Sequence, residues 1–489
     1  MKKYDIIIAG SGLGGLQCGY LLAKQGLKVC ILEKNARIGG CLQTFERHKA
    51  VFDTGFHYVG GLEEGQSLYS LFKYFNLLDL PWLKMDENAC EEIILQNQHF
   101  YLPNGYERFT EVLTEQFPHN RKEIEKYVQL LQSTGNHLFD SFNRKKSEKF
   151  YRSKLFSTSV EHFFKKYIKN PLLRDVLTGN SLKMELSPHL PLYIFAQINN
   201  SFVQSAWKLD GGGSLIAQHL ADDIQKMGGE VHTHAEVTQF VENNGVITKV
   251  SVNKGEYFLA GDIFIADIHP QTALGLLKNT LLIRPIYRHR INRLNNSFGA
   301  FTVHLEFTSD EIKPLNRTLY IYPNNVSPID ANTLEINKLL VHFYPPSPKT
   351  RIDLITPVLW KEVEPFANST IVSRSEQYYR WKEQKAKQCI SILRSILPFS
   401  DTQIANIYTS SPLTWRDYTG TANGSAYGIL KDADNLLKTM LPAKTPLCNL
   451  FFTGQNLNLH GVLGVSMTSL LTVAQFSDIG KALKEITDI

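Results

Sequence analysis

The opening stretch of the chain is its tightest structural constraint. Tyr4–Ala9 is a short apolar, β-branched run of the kind that forms a buried parallel strand. Gly10-Ser11-Gly12-Leu13-Gly14-Gly15 follows and fits G-x-G-x-x-G at Gly10, Gly12 and Gly15. A helix is predicted over Leu16–Gln25, with Gly26 stopping it, and a second strand over Lys28–Leu32 that ends at Glu33. Strand, glycine loop, helix, strand and acid together form the dinucleotide-binding βαβ unit. Gly10 permits the tight turn, Gly12 the approach of a pyrophosphate, and Gly15 close helix–strand packing. The helix N-terminus offers free N–H groups to the phosphates, and Glu33 would accept hydrogen bonds from ribose hydroxyls.

The next residues, Glu33-Lys34-Asn35-Ala36-Arg37-Ile38-Gly39-Gly40, read E-x-x-x-R-x-G-G. This extension resembles that of FAD-binding proteins of the glutathione-reductase and amine-oxidase type. The resemblance implies that Gly39 and Gly40 pass beneath the cofactor, with Lys34 in the same loop and Arg37 adding positive charge near the diphosphate.

Two later segments complete such a unit. Asp210-Gly211-Gly212-Gly213-Ser214-Leu215 is a glycine turn before an amphipathic helix. Strands are expected over Glu230–Val241, Val246–Val252 and Phe258–Ile265. By the same resemblance, the backbone of Val237 would meet the adenine. Leu450–Phe452 reads as a strand, followed by Thr453-Gly454-Gln455-Asn456, and a long helix is expected from about Leu463 to Leu483. Gly454 and Gln455 would contact the ribityl chain or phosphate. The helix start at Gly464-Val465 would aim its positive end at the flavin. No second G-x-G-x-x-G occurs, so a nicotinamide nucleotide could only bind transiently elsewhere, or another electron carrier serves.

The expected fold class is therefore α/β: a Rossmann-type FAD domain of the glutathione-reductase/amine-oxidase kind, carrying an inserted α+β substrate domain. The cofactor domain is discontinuous, 1–74, 206–275 and 425–489. The substrate domain is 75–205 and 276–424, with helices expected over Tyr106–Gln116, Arg121–Phe139 and Ser373–Leu397 and strands over Ser297–Phe307 and Leu339–Phe343.

Composition removes several classes. Of 489 residues, 43% are apolar and 20% charged, which supplies a large core and excludes disorder of the whole chain. A net charge of +5 is too small to indicate nucleic acid. The basic residues concentrate in 141–170, which holds nine Lys/Arg against two acids. That segment reads as a solvated helix face or as a peripheral contact with anionic membrane. Six scattered cysteines form no C-x-x-C, which argues against a zinc site or a disulfide framework. With the first strand starting by Tyr4 there is no room for a signal peptide, so a cytoplasmic setting is expected. The uncharged stretches Leu186–Trp207 and Thr445–Ser477 are too rich in Pro, Gly, Asn and His to span a membrane.

Nearly end to end, the chain resembles the phytoene desaturase, carotenoid isomerase and retinol saturase group of FAD-dependent oxidoreductases. The residues that carry this are Ala9–Leu16, Glu33–Gly40, Phe52-Asp53-Thr54-Gly55-Phe56-His57-Tyr58-Val59-Gly60, Gly211–Leu215, Ser411-Pro412-Leu413-Thr414 with Gly424–Gly428, and Thr453-Gly454-Gln455. The 52–60 and 453–455 motifs are closest to the retinol saturase branch. Asn458-Leu459-His460-Gly461-Val462 departs from the desaturase loop. The resemblance implies hydride transfer through flavin N5 on C–C or C=C bonds of an apolar isoprenoid or polyene. Desaturation or isomerisation of a carotenoid, oxidation of an amine or tetrapyrrole, and a flavin-bearing scaffold or lipid carrier without turnover are the alternatives. His57 and Tyr58 follow the cofactor loop and are candidate proton donors, although His57 equally fits a packing role. Tyr193, Trp415, Tyr418 and His460 are candidate pocket residues. No metal constellation is present in the sequence.

Overall fold

The computed structural model describes residues 2–142, 153–278, 280, 282–308, 312–323 and 336–488. Its first sheet is built on β1 (Lys3–Ala9), which pairs in parallel with β2 (Val29–Leu32) on one side and with Tyr257–Ala266 on the other. Glu230–His232 extends the sheet beyond β2, and Leu450–Phe452 pairs in parallel with the C-terminal half of Tyr257–Ala266. The hairpin Val237–Asn243/Val246–Val252 joins antiparallel at the opposite end of that strand. β1 is buried on both faces apart from its first residues, which is why Ile6-Ile7-Ile8 forms a continuous apolar run rather than an alternating one.

Helix α1 (Leu13–Lys24) connects β1 to β2. It starts three residues before the expected Leu16, because the glycine loop itself supplies the first turn. The expected strand Glu230–Val241 is broken at 233–236, where His234 adopts a positive φ and Ala235 donates to the Glu33 carbonyl. The expected helix to Leu483 also divides. Gly461–Val473 is one helix and Gly480–Thr487 another, with Asp478 receiving the Gly480 N–H at the second start.

The second sheet runs Ile404–Ser410, Gly299–Phe307, Arg351–Val358, Leu339–Phe343, Thr318–Tyr322, Glu91–Leu95, Gln98–Leu102. It is antiparallel except between Thr318–Tyr322 and Glu91–Leu95. The Glu376–Ile396 helix packs on it through Tyr378, Cys389, Ile390 and Leu393. Helices Arg121–Gly135 and Leu192–Gln204 pack with Ile93, Tyr320 and Leu340 in another core. All six cysteines are free. Among the described residues, no helix is long and apolar enough to cross a membrane. Of the basic segment, Arg144, Lys145, Lys146, Lys149 and Arg152 lie outside the described residues, while Lys165 pairs with Glu161 at 2.7 Å.

Ile265 sits at the centre of the first sheet, fully buried between Ile8 and Phe451. Ile265→Ala should cost about 2–5 kcal/mol through lost burial and the cavity left behind. A denaturant midpoint unchanged from wild type would contradict this core assignment.

Candidate functional site

A cavity of about 410 Å³ opens at the carboxyl ends of the first sheet and continues to the second. That is where ligands bind in open α/β sheets. The wall contains Gly10, Ser11, Gly12, Leu13 and Gly14, then Glu33, Lys34, Gly39 and Gly40, then Val237, Asp267, Gly454, Gln455 and Val465. The loops at Gly12, Gly40, Asp267 and Gly454 meet here at close range. A Cβ on Gly14 would lie 2.9 Å from the Gly454 backbone, so neither loop could approach with a side chain present. Gly15 stands behind the wall, where a Cβ would come within 2.3 Å of the Gly10 carbonyl. The motif's third glycine thus serves packing, as its spacing implies.

The acidic groups of this half are arranged in two layers. The Glu33 carboxylate accepts from the Ser11 N–H at 3.1 Å, the Ser11 hydroxyl at 2.7 Å and the Asn35 N–H at 2.8 Å. Asp267, immediately after the Tyr257–Ala266 strand, turns its carboxylate onto the N-terminus of α1 and accepts from the Gly15 N–H at 2.8 Å. Burial pushes its pKa up to about 7, against the pull of those amides. Sequence reasoning did not select Asp267. Its signal was available: an acid at the carboxyl end of a central parallel strand.

The rest of the wall is largely apolar and comes mainly from the second sheet and its helices: Leu182, Ile198, Phe202, Phe298, Leu340 and Ile355. His57 and Tyr58 line the cavity where its two halves join the same loop. The His57 ring stacks on His342 with centroids 5.1 Å apart, and Nδ1 of each has no partner among the described residues. Burial lowers the pKa of both, leaving neutral imidazoles. The Tyr58 hydroxyl is turned away into the wall. It donates to Glu91 at 2.6 Å and touches the Tyr320 hydroxyl.

Trp415 lies in the wall with its ring against Gly55, whose Cβ would come 2.7 Å from it. His460 lies there too, just before the Gly461–Val473 helix. Desolvation, aided by Lys431, pushes His460 down to about 3, so its ring is neutral. It is 1% exposed, and neither ring nitrogen has a hydrogen-bond partner among the described residues. Nδ1 is 3.6 Å from Glu185, beyond hydrogen-bond reach. The His460 ring is instead packed against Tyr427, with centroids 4.8 Å apart.

Besides Gly15, four expected site residues lie outside the wall. Tyr193 points into the helical core and stacks on Phe156 at 4.4 Å, because its helix turns that face inward. Tyr418 is 49% exposed, and only its carbonyl contributes, accepting from Asn35. Arg37 is exposed and donates to the Thr44 carbonyl. Gly464 packs on Leu459, because the helix begins at Gly461, two residues before the expected Leu463.

A family model described as an NAD(P)-binding Rossmann-like domain matches residues 8–75. All-trans-retinol 13,14-reductase of Danio rerio is 26% identical over 96% of this chain and 85% of its own. Prolycopene isomerase of Daucus carota is 26% identical over 64% of this chain and 54% of its own. The chain is thus similar to retinol reductases over nearly all of its length and to a prolycopene isomerase over about two thirds of it. A solved putrescine oxidase variant superposes with a TM-score of 0.65 at 14% identity, covering 96% of this chain and 98% of that one. The two proteins share the α/β fold of amine oxidases.

A diphosphate seated on the α1 N-terminus would be a second anion beside Asp267, and would raise the Asp267 pKa further. Dinucleotide binding must then take up a proton. FAD affinity of the cofactor-free protein should be constant below about pH 7 and weaken as pH rises above it. Asp267→Asn should flatten that dependence in a fluorescence titration. An identical pH profile in the variant would contradict the assignment.

Proposed function

We propose that this protein is an FAD-dependent oxidoreductase that reduces a C=C bond of an apolar polyene. The observation that carries the reading is the continuity of one cavity: a glycine cradle built for a diphosphate opens directly into an apolar wing. The donors and acceptors present fit FAD. The α1 amides and Gly40 would seat the diphosphate, Glu33 would take ribose hydroxyls, and the backbone of Val237 would meet the adenine. Gln455, the Gly461 helix start and His460 would face the flavin end. Bound FAD would supply hydride chemistry.

The chain's own part is to hold the polyene, keep water out, and provide a proton. Leu182, Phe202, Phe298, Leu340 and Ile355 offer a surface with no competing hydrogen bonds, which suits a hydrocarbon chain. His57 is neutral there, so it does not hydrate the wing by carrying charge. The relatives named as retinol reductases, which align over nearly the whole chain, favour reduction over isomerisation. A nicotinamide nucleotide binding transiently is the proposed reductant.

The test is an anaerobic incubation with all-trans-retinol and with a carotenoid, using dithionite-reduced and oxidised flavin in parallel. The expected product is two mass units heavier, blue-shifted, and formed only with reduced flavin. A product two units lighter from the oxidised flavin would make the protein a desaturase. An isomer of unchanged mass would make it an isomerase.

A further inference from the structure

The wall of the apolar wing contains a buried ionic cluster that the glycine cradle does not touch. Lys183 lines the cavity from the 3-10 turn Ser181–Lys183. Its ammonium reaches Glu91 Oε1 at 2.5 Å, with the two side chains 5% and 3% exposed. The same oxygen accepts from Tyr58, and Glu91 Oε2 accepts from the Asn180 amide at 2.7 Å. Tyr320 closes the group by contacting the Tyr58 hydroxyl. Lys183 Nζ also stands 4.0 Å from the centroid of the Phe202 ring, and Phe202 lines the same wing.

This geometry separates the roles of its members. Tyr58 has one hydroxyl proton, and Glu91 holds it. An ammonium has three donors. One of those on Lys183 goes to Glu91, and among the described residues no other acceptor is recorded for the remaining two. A buried ion pair is costly to build from charges taken out of water. Its place beside an otherwise apolar wing calls for a reason other than stability.

We propose that Lys183, held by Glu91, is the proton donor to the polyene, and that Tyr58, Tyr320 and Asn180 are positioning residues that fix the Glu91 carboxylate. The proposal rests on the reductase reading. Saturating a C=C bond adds a hydride to one carbon and a proton to the other, and reduced flavin is the hydride source. In the proton step an N–H bond of Lys183 breaks and a C–H bond forms at the second carbon. The neutral amine left beside Glu91 then takes up a proton from solvent. Burial lowers the Lys183 pKa against the pull of Glu91, which makes its ammonium a stronger acid than a surface lysine.

Behind Glu91 lies a second cavity of about 10 Å³, walled by Glu91, Asn180, Asn199 and Phe202. The Asn180 and Asn199 side-chain oxygens are buried acceptors with no partner among the described residues. A polar space of about 10–15 Å³ is enough for one water, and a water there would contact Glu91 on the side away from the substrate.

The test uses the FAD-loaded full-length protein under anaerobic conditions with reduced flavin and retinol. Lys183→Arg keeps the positive partner for Glu91 but does not release its proton. Lys183→Ala removes the donor and leaves space. Both variants should retain FAD, read from the flavin spectrum, and should lose about 10²–10⁴-fold in the rate of saturated product, the usual contribution of a positioned acid. Added methylammonium should restore the rate of Lys183→Ala in proportion to its concentration, which a merely structural role would not produce. Wild-type rates in Lys183→Arg, or Lys183→Ala unmoved by methylammonium, would overturn the assignment while leaving the reductase reading intact. Absence of saturated product from the wild-type protein would overturn both.

Discussion

The site depends on a single contact, the carboxylate of Asp267 on the N-terminal amides of α1. Asp267 ends the strand that pairs with β1, and its N–H is bonded to the Ala9 carbonyl at 2.8 Å. One residue therefore fixes the end of β1, the start of α1 and the end of the neighbouring strand relative to one another. The Gly454 loop is drawn to the same point, and a Cβ on Gly454 would stand 2.4 Å from the Asp267 carboxylate. The cradle is thus a convergence of strand ends from three distant parts of the chain. Its glycines are forced by closeness of approach as much as by backbone angle.

The second half of the cavity follows a different rule. Its wall consists of side chains from the second sheet and its helices, and the low polarity of that wall governs every ionisable group in it. His57 and His460 in the wall, and His342 stacked behind His57, are neutral because burial strips water from their charged forms. Lys183 retains an ion-pair partner because an unpaired ammonium would be far more costly there. The arrangement admits an apolar chain while placing very few transferable protons beside it, and those few are held by carboxylate geometry.

The two halves were unequally legible in the sequence. The Gly10–Gly15 loop, Glu33, Gly39-Gly40 and Gly454-Gln455 are local patterns whose spacing carries their chemistry, and all of them line the cavity except Gly15, which packs behind it. Asp267 was visible as the acid ending a strand but had no motif of its own. Tyr193 and Tyr418 show the limit of reading aromatic residues from composition: helix phase sends one into the core and the other to solvent. Lys183 and Glu91 are 92 positions apart. Nothing in either local sequence marks the pair, because a strand of the second sheet and a short turn meet only in the folded chain. The C-terminal helix was misjudged for a related reason. A continuous apolar run does not reveal the break between Val473 and Gly480.

FAD seated on the glycine cradle, with its flavin end toward the apolar wing, underlies every role given to these residues. The most direct measurement is the identity and stoichiometry of the nucleotide released when the purified protein is denatured, resolved by chromatography and absorbance. The account predicts FAD, approaching one per chain, lost together with the yellow colour when Gly14 is replaced by valine. Recovery of a nicotinamide nucleotide in place of flavin, or full FAD content in Gly14→Val, would contradict it.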